Sequence, residues 1–401
     1  MAQRVAPLHG GHALQLLAGS ADYFAALIEA IDTAQREVRL ETYIFDFSGS
    51  GAQVAWALEH AARRGVKVMV LVDGFGTDAV PPDWQLRLEG AGVDWRVFGV
   101  LGRFGVLWPG NWRRMHRKLC VVDEATAFCG GINILDDLHD PNHGVLQFPR
   151  FDFAVRVQGP LAADMHAAMV RLWVRHTTLP GHPGRLAGAL FARVPRVVPQ
   201  ESPAETAGPG ARAALVLRDN FRNRTRIERA YRRAIGQARR EVIIANAYFV
   251  PGRKLRTALV SAARRGVKVQ LLLQGRYEYF LQYYAARPVY GALLQAGVEI
   301  HEYSPSFLHA KVAVVDGHWA TVGSSNLDPL SLLLAREANV MVEDAAFAQD
   351  LRQRLADAIA HSGRVMDAAQ FAARPWYRRA LEGVALGVMR ALLLVQGKKY
   401  L

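Results

Sequence analysis

Two stretches of this chain, HRKLCVVDEATAFCGGIN over 116–133 and HAKVAVVDGHWATVGSSN over 309–326, follow one template: H-x-K, four residues, D, six residues, then G-x-x-N. Reading outward, the flanks match as well. AARRGVKV stands at 61–68 and again at 262–269; REVRLETYIF (36–45) pairs with REVIIANAYF (240–249), and AGVDWRVF (91–98) with AGVEIHEY (296–303), in the same order. Such self-similarity is the mark of a duplicated structural unit. Each copy reads as helix, strand, helix ending at R-R-G, Val- and Leu-rich strand, helix, a strand at A-G-V, and then the motif strand. Alternation of helical stretches with short β-branched runs predicts an α/β fold of two similar lobes. The prolines at 195, 199, 203 and 209 predict a linker over 181–212. The expected division is a first lobe at 1–180, a second at 213–372, and an apolar and basic membrane-docking segment at 373–401.

Composition narrows the partners. The 401 residues are 51% hydrophobic and 21% charged, so wholesale disorder is excluded. Lys and Arg outnumber Asp and Glu by 49 to 36, giving a net charge of +13 that favours a polyanion, nucleic acid or an anionic membrane surface. The two cysteines, Cys120 and Cys129, lie in one apolar run, which suits buried thiols in a reducing compartment and argues against a zinc site. The first residues lack the apolar core of a signal peptide, so the expected location is the cytosolic side.

Side chains two apart on a strand share a face, roughly 6.6–6.8 Å apart along its axis. His116 therefore shares a face with Lys118, and His309 with Lys311. Asp123 and Asp316, seven residues after each histidine, fall on the other face or in the turn, and are read as structural ties. The glycines that follow let backbone approach a ligand closely, and Asn133 and Asn326 offer amide donors. Facing lobes would gather two imidazoles, two ammoniums and two amides around one point. That set fits a phosphodiester: lysines and asparagines hold the non-bridging oxygens, one histidine attacks phosphorus, and the other protonates the leaving oxygen. A metal reading is weaker, because the paired lysines would repel a cation; neither a metal nor a cofactor is expected.

The duplicated H-x-K-x4-D motif resembles the phospholipase D superfamily, and ETYIF, GGIN, ANAYFVPG and GSSNLDPLSLLLAREANV are similar to its bacterial B-type cardiolipin synthases. The resemblance covers nearly the whole chain and implies a metal-independent site at the interface of two α/β lobes. It implies His116 as nucleophile and His309 as general acid and base, each oriented by a carboxylate. Glu337, 28 residues past His309, and Asp152, 36 past His116, match those carboxylates, although HDPNHGVLQFPR intervenes before Asp152. The activity implied is phosphatidyl transfer from phosphatidylglycerol or another phospholipid to phosphatidylglycerol, with phospholipase D-type hydrolysis or nuclease activity as alternatives.

Glu41 and Tyr43, at a strand end, either line the cleft or belong to the core. The insertion before the first motif carries Phe104, Val106, Leu107, Trp108 and Trp112 beside arginines. It suits a lipid interface, stacking on single-stranded bases, or a folded lid. The apolar stretch 381–395 is short of the roughly 20 residues that span a bilayer, and reads as an interfacial segment or a closing helix. The expected partner is an anionic phospholipid membrane of phosphatidylglycerol and cardiolipin rather than nucleic acid, with the protein peripheral on the cytoplasmic side of the inner membrane.

Overall fold

A computed structural model describes residues 7–77, 79–99, 114–140, 143–177, 210–219, 223, 225–276, 280–328 and 335–395. The aromatic insertion at 104–112 and most of the expected linker lie outside them.

Both halves build a mixed sheet with the same strand order. In the first, Asp94–Phe98, Lys67–Asp73 and Glu37–Thr42 run parallel, and Leu119–Val122, Thr126–Gly130, Phe153–Gln158 and His9–Ala18 continue antiparallel. The second repeats this with Glu299–Tyr303, Lys268–Gln274 and Glu241–Asn246, then Lys311–Val315, Trp319–Gly323, Ala335–Glu343 and Ala211–Arg218. Register is shared too, Glu37 facing Lys67 as Glu241 faces Lys268. The motif strands are apolar on both faces because each sheet is covered on both sides.

The lobes are joined in two ways. His9–Ala18 pairs with Phe153–Gln158 on one side and touches Ala211–Arg218 on the other, which links the two sheets into one. Between the sheets, Val121, Cys129 and Val155 of the first lobe share one buried cluster with Val314, Val322 and Val340 of the second. Burial of such side chains is worth about 1.5–3 kcal/mol each, so the lobes are held as a unit.

Helix Trp376–Val395 closes the second lobe. Ala385, Leu386 and Met389 enter that lobe's core beside helix Phe280–Gln295, and Glu382 is buried against Arg374 at 2.5 Å. Its opposite face leaves Trp376, Tyr377, Val384 and Val388 exposed. Among the described residues no helix is long and apolar enough to cross a membrane.

Candidate active site

The turn after each motif strand fixes its position. Asp123 and Asp316 sit there with φ of 52°, a left-handed conformation that aspartate tolerates better than most residues. The Asp123 carboxylate accepts the N–H groups of Gln35, Arg36 and Glu37, each at 2.8 Å; Asp316 accepts those of Arg239, Arg240 and Glu241 at 2.8–3.0 Å. Each aspartate thereby ties the far end of its motif strand to the start of the central strand beside it.

At the near end, the two lobes exchange edges. Arg114–Met115 pairs in parallel with Ala335–Arg336, and the His116 N–H reaches the Arg336 carbonyl at 3.0 Å. Reciprocally, the N–H groups of His309 and Ala310 both reach the Phe151 carbonyl at 2.9 Å. Each motif histidine is thus delivered to the strand that carries the other lobe's carboxylate. His116 Nδ1 lies 3.2 Å from Glu337 Oε2, and His309 Nδ1 lies 2.6 Å from Asp152 Oδ2. Chain order suggested the opposite partners, Glu337 with His309 and Asp152 with His116. The correction follows from the edge exchange, which pairs positions 157 and 221 residues apart.

The lysines are fully enclosed. Lys118 Nζ donates to its own His116 carbonyl at 2.9 Å, and Lys311 Nζ to that of His309. Burial pushes Lys118 down to about 7, with Lys311 adding to the effect. Burial lowers His116, Glu337 opposing it and both lysines reinforcing it. His309 is held well below its ordinary value by burial, then by Lys311 and Lys118. Burial raises Asp152 to about 6 against the pull of Lys311. The cause common to the histidine and lysine shifts is a cluster of cationic groups drawn out of water, which an anion between them would relieve. Each histidine meets the other lobe's carboxylate, which makes this one site.

The two halves differ in detail. Ser324 Oγ donates to Glu337 Oε2 at 2.5 Å, whereas the matching position in the first lobe is Gly131. A Cβ on Gly131 would lie 2.3 Å from Asp152 Oδ1, so only glycine fits against that carboxylate. Tyr43 packs against His116 with ring centroids 4.8 Å apart and the rings tilted at 57°, and lies 5.4 Å from Lys118 Nζ. Glu41 is buried against Arg117 at 2.7 Å. Asn133 and Asn326 are both buried, and Asn133 Oδ1 accepts the Ile44 N–H at 3.2 Å. Ser324 lay within a motif already singled out; the contrast of G-S-S-N with G-G-I-N was the signal for its separate role. Among the described residues no cluster of His, Cys, Asp or Glu could hold a metal ion.

Comparison with known proteins finds a matching family. The family described as "Cardiolipin synthase, PLD-like domain" matches residues 27–148 and again 231–359. The chain is 40% identical over 381 residues to cardiolipin synthase B of Salmonella typhimurium, spanning 95% of this chain and 88% of that protein. The Escherichia coli K12 cardiolipin synthase B is 39% identical over 380 residues, with the same coverage. Cardiolipin synthase A of Cronobacter sakazakii is 31% identical over 383 residues, 93% of this chain and 74% of that protein. In fold, the chain is similar to the phosphatidylserine synthase of Haemophilus influenzae Rd KW20, with a TM-score of 0.70, 13% identity, and coverage of 99% and 97%.

Proposed function

We propose that this chain, which belongs to the phospholipase D-like cardiolipin synthase family, is a phosphatidyltransferase that makes cardiolipin at an anionic membrane surface. The observation that carries the reading is the crossed pairing of His116 with Glu337 and His309 with Asp152 beside two buried lysines. In this reading, the phosphodiester of phosphatidylglycerol or another donor sits between Lys118 and Lys311, with the Asn133 and Asn326 amides at its non-bridging oxygens. His116 Nε2 attacks phosphorus while His309 gives its Nε2 proton to the leaving alcohol, which is glycerol when phosphatidylglycerol is the donor. The P–N bond of a phosphatidyl-histidine replaces the P–O bond that broke.

In the second half, His309, now neutral, takes the proton of a phosphatidylglycerol hydroxyl. That oxygen displaces His116, and cardiolipin leaves. Glu337 and Asp152 hold each Nδ1–H, so Nε2 faces phosphorus. Asp123 and Asp316 are structural in this scheme. The phosphate's negative charge offsets the lysines and restores the proton that His309 sheds in the empty cleft.

The net charge of +13 supports a peripheral location on the cytoplasmic face of the inner membrane. The test supplies labelled phosphatidylglycerol vesicles in chelator, with and without added alcohol, and separately single-stranded DNA. Labelled cardiolipin without DNA cleavage is expected. Phosphatidic acid alone would make it a hydrolase, and cut DNA would overturn the reading.

A further inference from the structure

Eighteen residues separate Asn133 from Asp152, but only ten separate Asn326 from Glu337, so the first lobe carries an insertion that the second lacks. It forms a small hairpin, His139–Asp140 against Gly144–Val145, closed by the Leu146 N–H on the Leu138 carbonyl at 2.7 Å. The hairpin reaches across to the second lobe. Ser306 Oγ donates to the Phe148 carbonyl at 2.7 Å, and the His143 ring lies 4.9 Å from Phe307, two residues before His309. The segment then runs directly into Phe151, whose carbonyl holds the His309 backbone.

Its side chains are arranged inside out. Arg150 is buried among the Asp136 and His139 carbonyls and the Asp140 carboxylate, at 2.7, 2.8 and 2.8 Å, and His143 Nδ1 also meets Asp140, at 3.0 Å. Leu146 is buried, but three apolar side chains face out: Leu138 is 48% exposed, Val145 84% and Phe148 49%. On the first lobe's side of the cleft Phe75 is 56% exposed, two residues before Thr77, whose hydroxyl holds the carbonyl of the Tyr43 that packs against His116. Although His139, His143 and Gln147 are exposed as well, a surface element that pairs its arginine and aspartate internally and turns three large apolar side chains to water is suited to a non-aqueous partner.

We propose that this hairpin is a lip that enters the headgroup layer of an anionic bilayer beside the active-site mouth, so that a lipid phosphodiester reaches His309 while its acyl chains stay in the membrane. The inference rests on the phosphatidyltransferase reading, because only a lipid substrate requires the mouth to meet a bilayer. A bilayer is favoured over a second copy of the chain because the +13 charge opposes self-association and attracts anionic lipid.

A Val145→Cys variant tests it. Cys120 and Cys129 are buried, so an environment-sensitive dye attaches at position 145. With phosphatidylglycerol vesicles the dye should shift to the blue and be quenched by lipids carrying a quencher near the headgroups, while a dye on Leu86→Cys, exposed on another helix, should not. The triple variant Leu138→Ser, Val145→Asp, Phe148→Ser should turn over vesicle lipid roughly tenfold or more slowly. It should keep its turnover of dispersed short-chain phosphatidylglycerol within about twofold. A dye at 145 that stays aqueous while the wild type makes cardiolipin from the same vesicles overturns the lip, as does a blue shift without lipid, which would mark a contact between copies. A wild type that makes no cardiolipin fails the functional reading instead, and the dye still reports whether the hairpin meets lipid.

Discussion

Replacing Asp152 by Asn should cost far more turnover than replacing Glu337 by Gln, although both remove a carboxylate from a motif histidine. Asp152 Oδ1 accepts the Phe153 N–H at 2.8 Å, and Gly131 closes the space around it. An asparagine there must point its oxygen at Phe153 and its NH2 at His309 Nδ1. The imidazole then carries its proton on Nε2 and cannot take one from an incoming hydroxyl. A wrong-tautomer histidine costs about 10³–10⁴ in rate, or about 4–5.5 kcal/mol. Glu337 is different. Its Oε2 serves both Ser324 Oγ and His116, while Oε1 is buried with no hydrogen-bond partner. Glutamine can place its oxygen at the Oε2 position and keep the His116 tautomer, losing the charge and burying its NH2 where Oε1 stood, about 1.5–3 kcal/mol or roughly 10–150-fold. The assay is kcat/KM for cardiolipin formation, with thermal melting to confirm that both variants fold. Equal losses, or a larger loss at Glu337, would refute the reasoning.

Other outcomes follow from the same geometry. Ser324→Ala should lower kcat/KM roughly tenfold by freeing the Glu337 carboxylate, whereas Gly131→Ala, driving a Cβ against Asp152, should inactivate outright; near-normal rates for both would discount the asymmetry of the two carboxylate seats. Asp123→Asn and Asp316→Asn should each lower stability by about 1–3 kcal/mol in denaturant titrations. Burial raises these two carboxylates, but three backbone N–H bonds outweigh it and hold them below the usual range. Their contribution is therefore present above the ordinary carboxylate pKa and lost as pH falls through the depressed one, which the variants' flatter acid melting profile would show. Because Lys118 is pushed down to about 7 in the empty cleft, diethyl phosphate, which does not titrate there, should bind up to roughly tenfold more weakly per pH unit above that value. Lys118→Gln should flatten the dependence; calorimetry measures both.

The fold class was legible because duplication repeats whole blocks such as AARRGVKV, and the chemistry was legible because polar residues recur at fixed spacing in strands that are otherwise apolar. The partner of each histidine was not. Which strand edge lies beside a motif is set by the edge exchange of Arg114–Met115 with Ala335–Arg336, a contact between segments more than 200 residues apart that local periodicity does not encode. The burial of helix Trp376–Val395 was half legible. Glu382, Ala385, Leu386 and Met389 share a stripe at helical spacing, but the apolar residues of the opposite face hid the pattern. The hairpin at 139–145 read only as an interruption before Asp152, since its outward apolar side chains mean something only once Arg150 and Asp140 are seen turned inward.

The most direct test of one shared site with divided roles is to mix the enzyme with labelled phosphatidyl donor alone, quench, digest, and locate the acid-labile adduct by mass spectrometry. The account predicts the label on the peptide bearing His116, at no more than one adduct per chain, and accumulation of that adduct in His309→Ala. Label on the His309 peptide would reverse the roles, and label on both in one chain would contradict a single shared site.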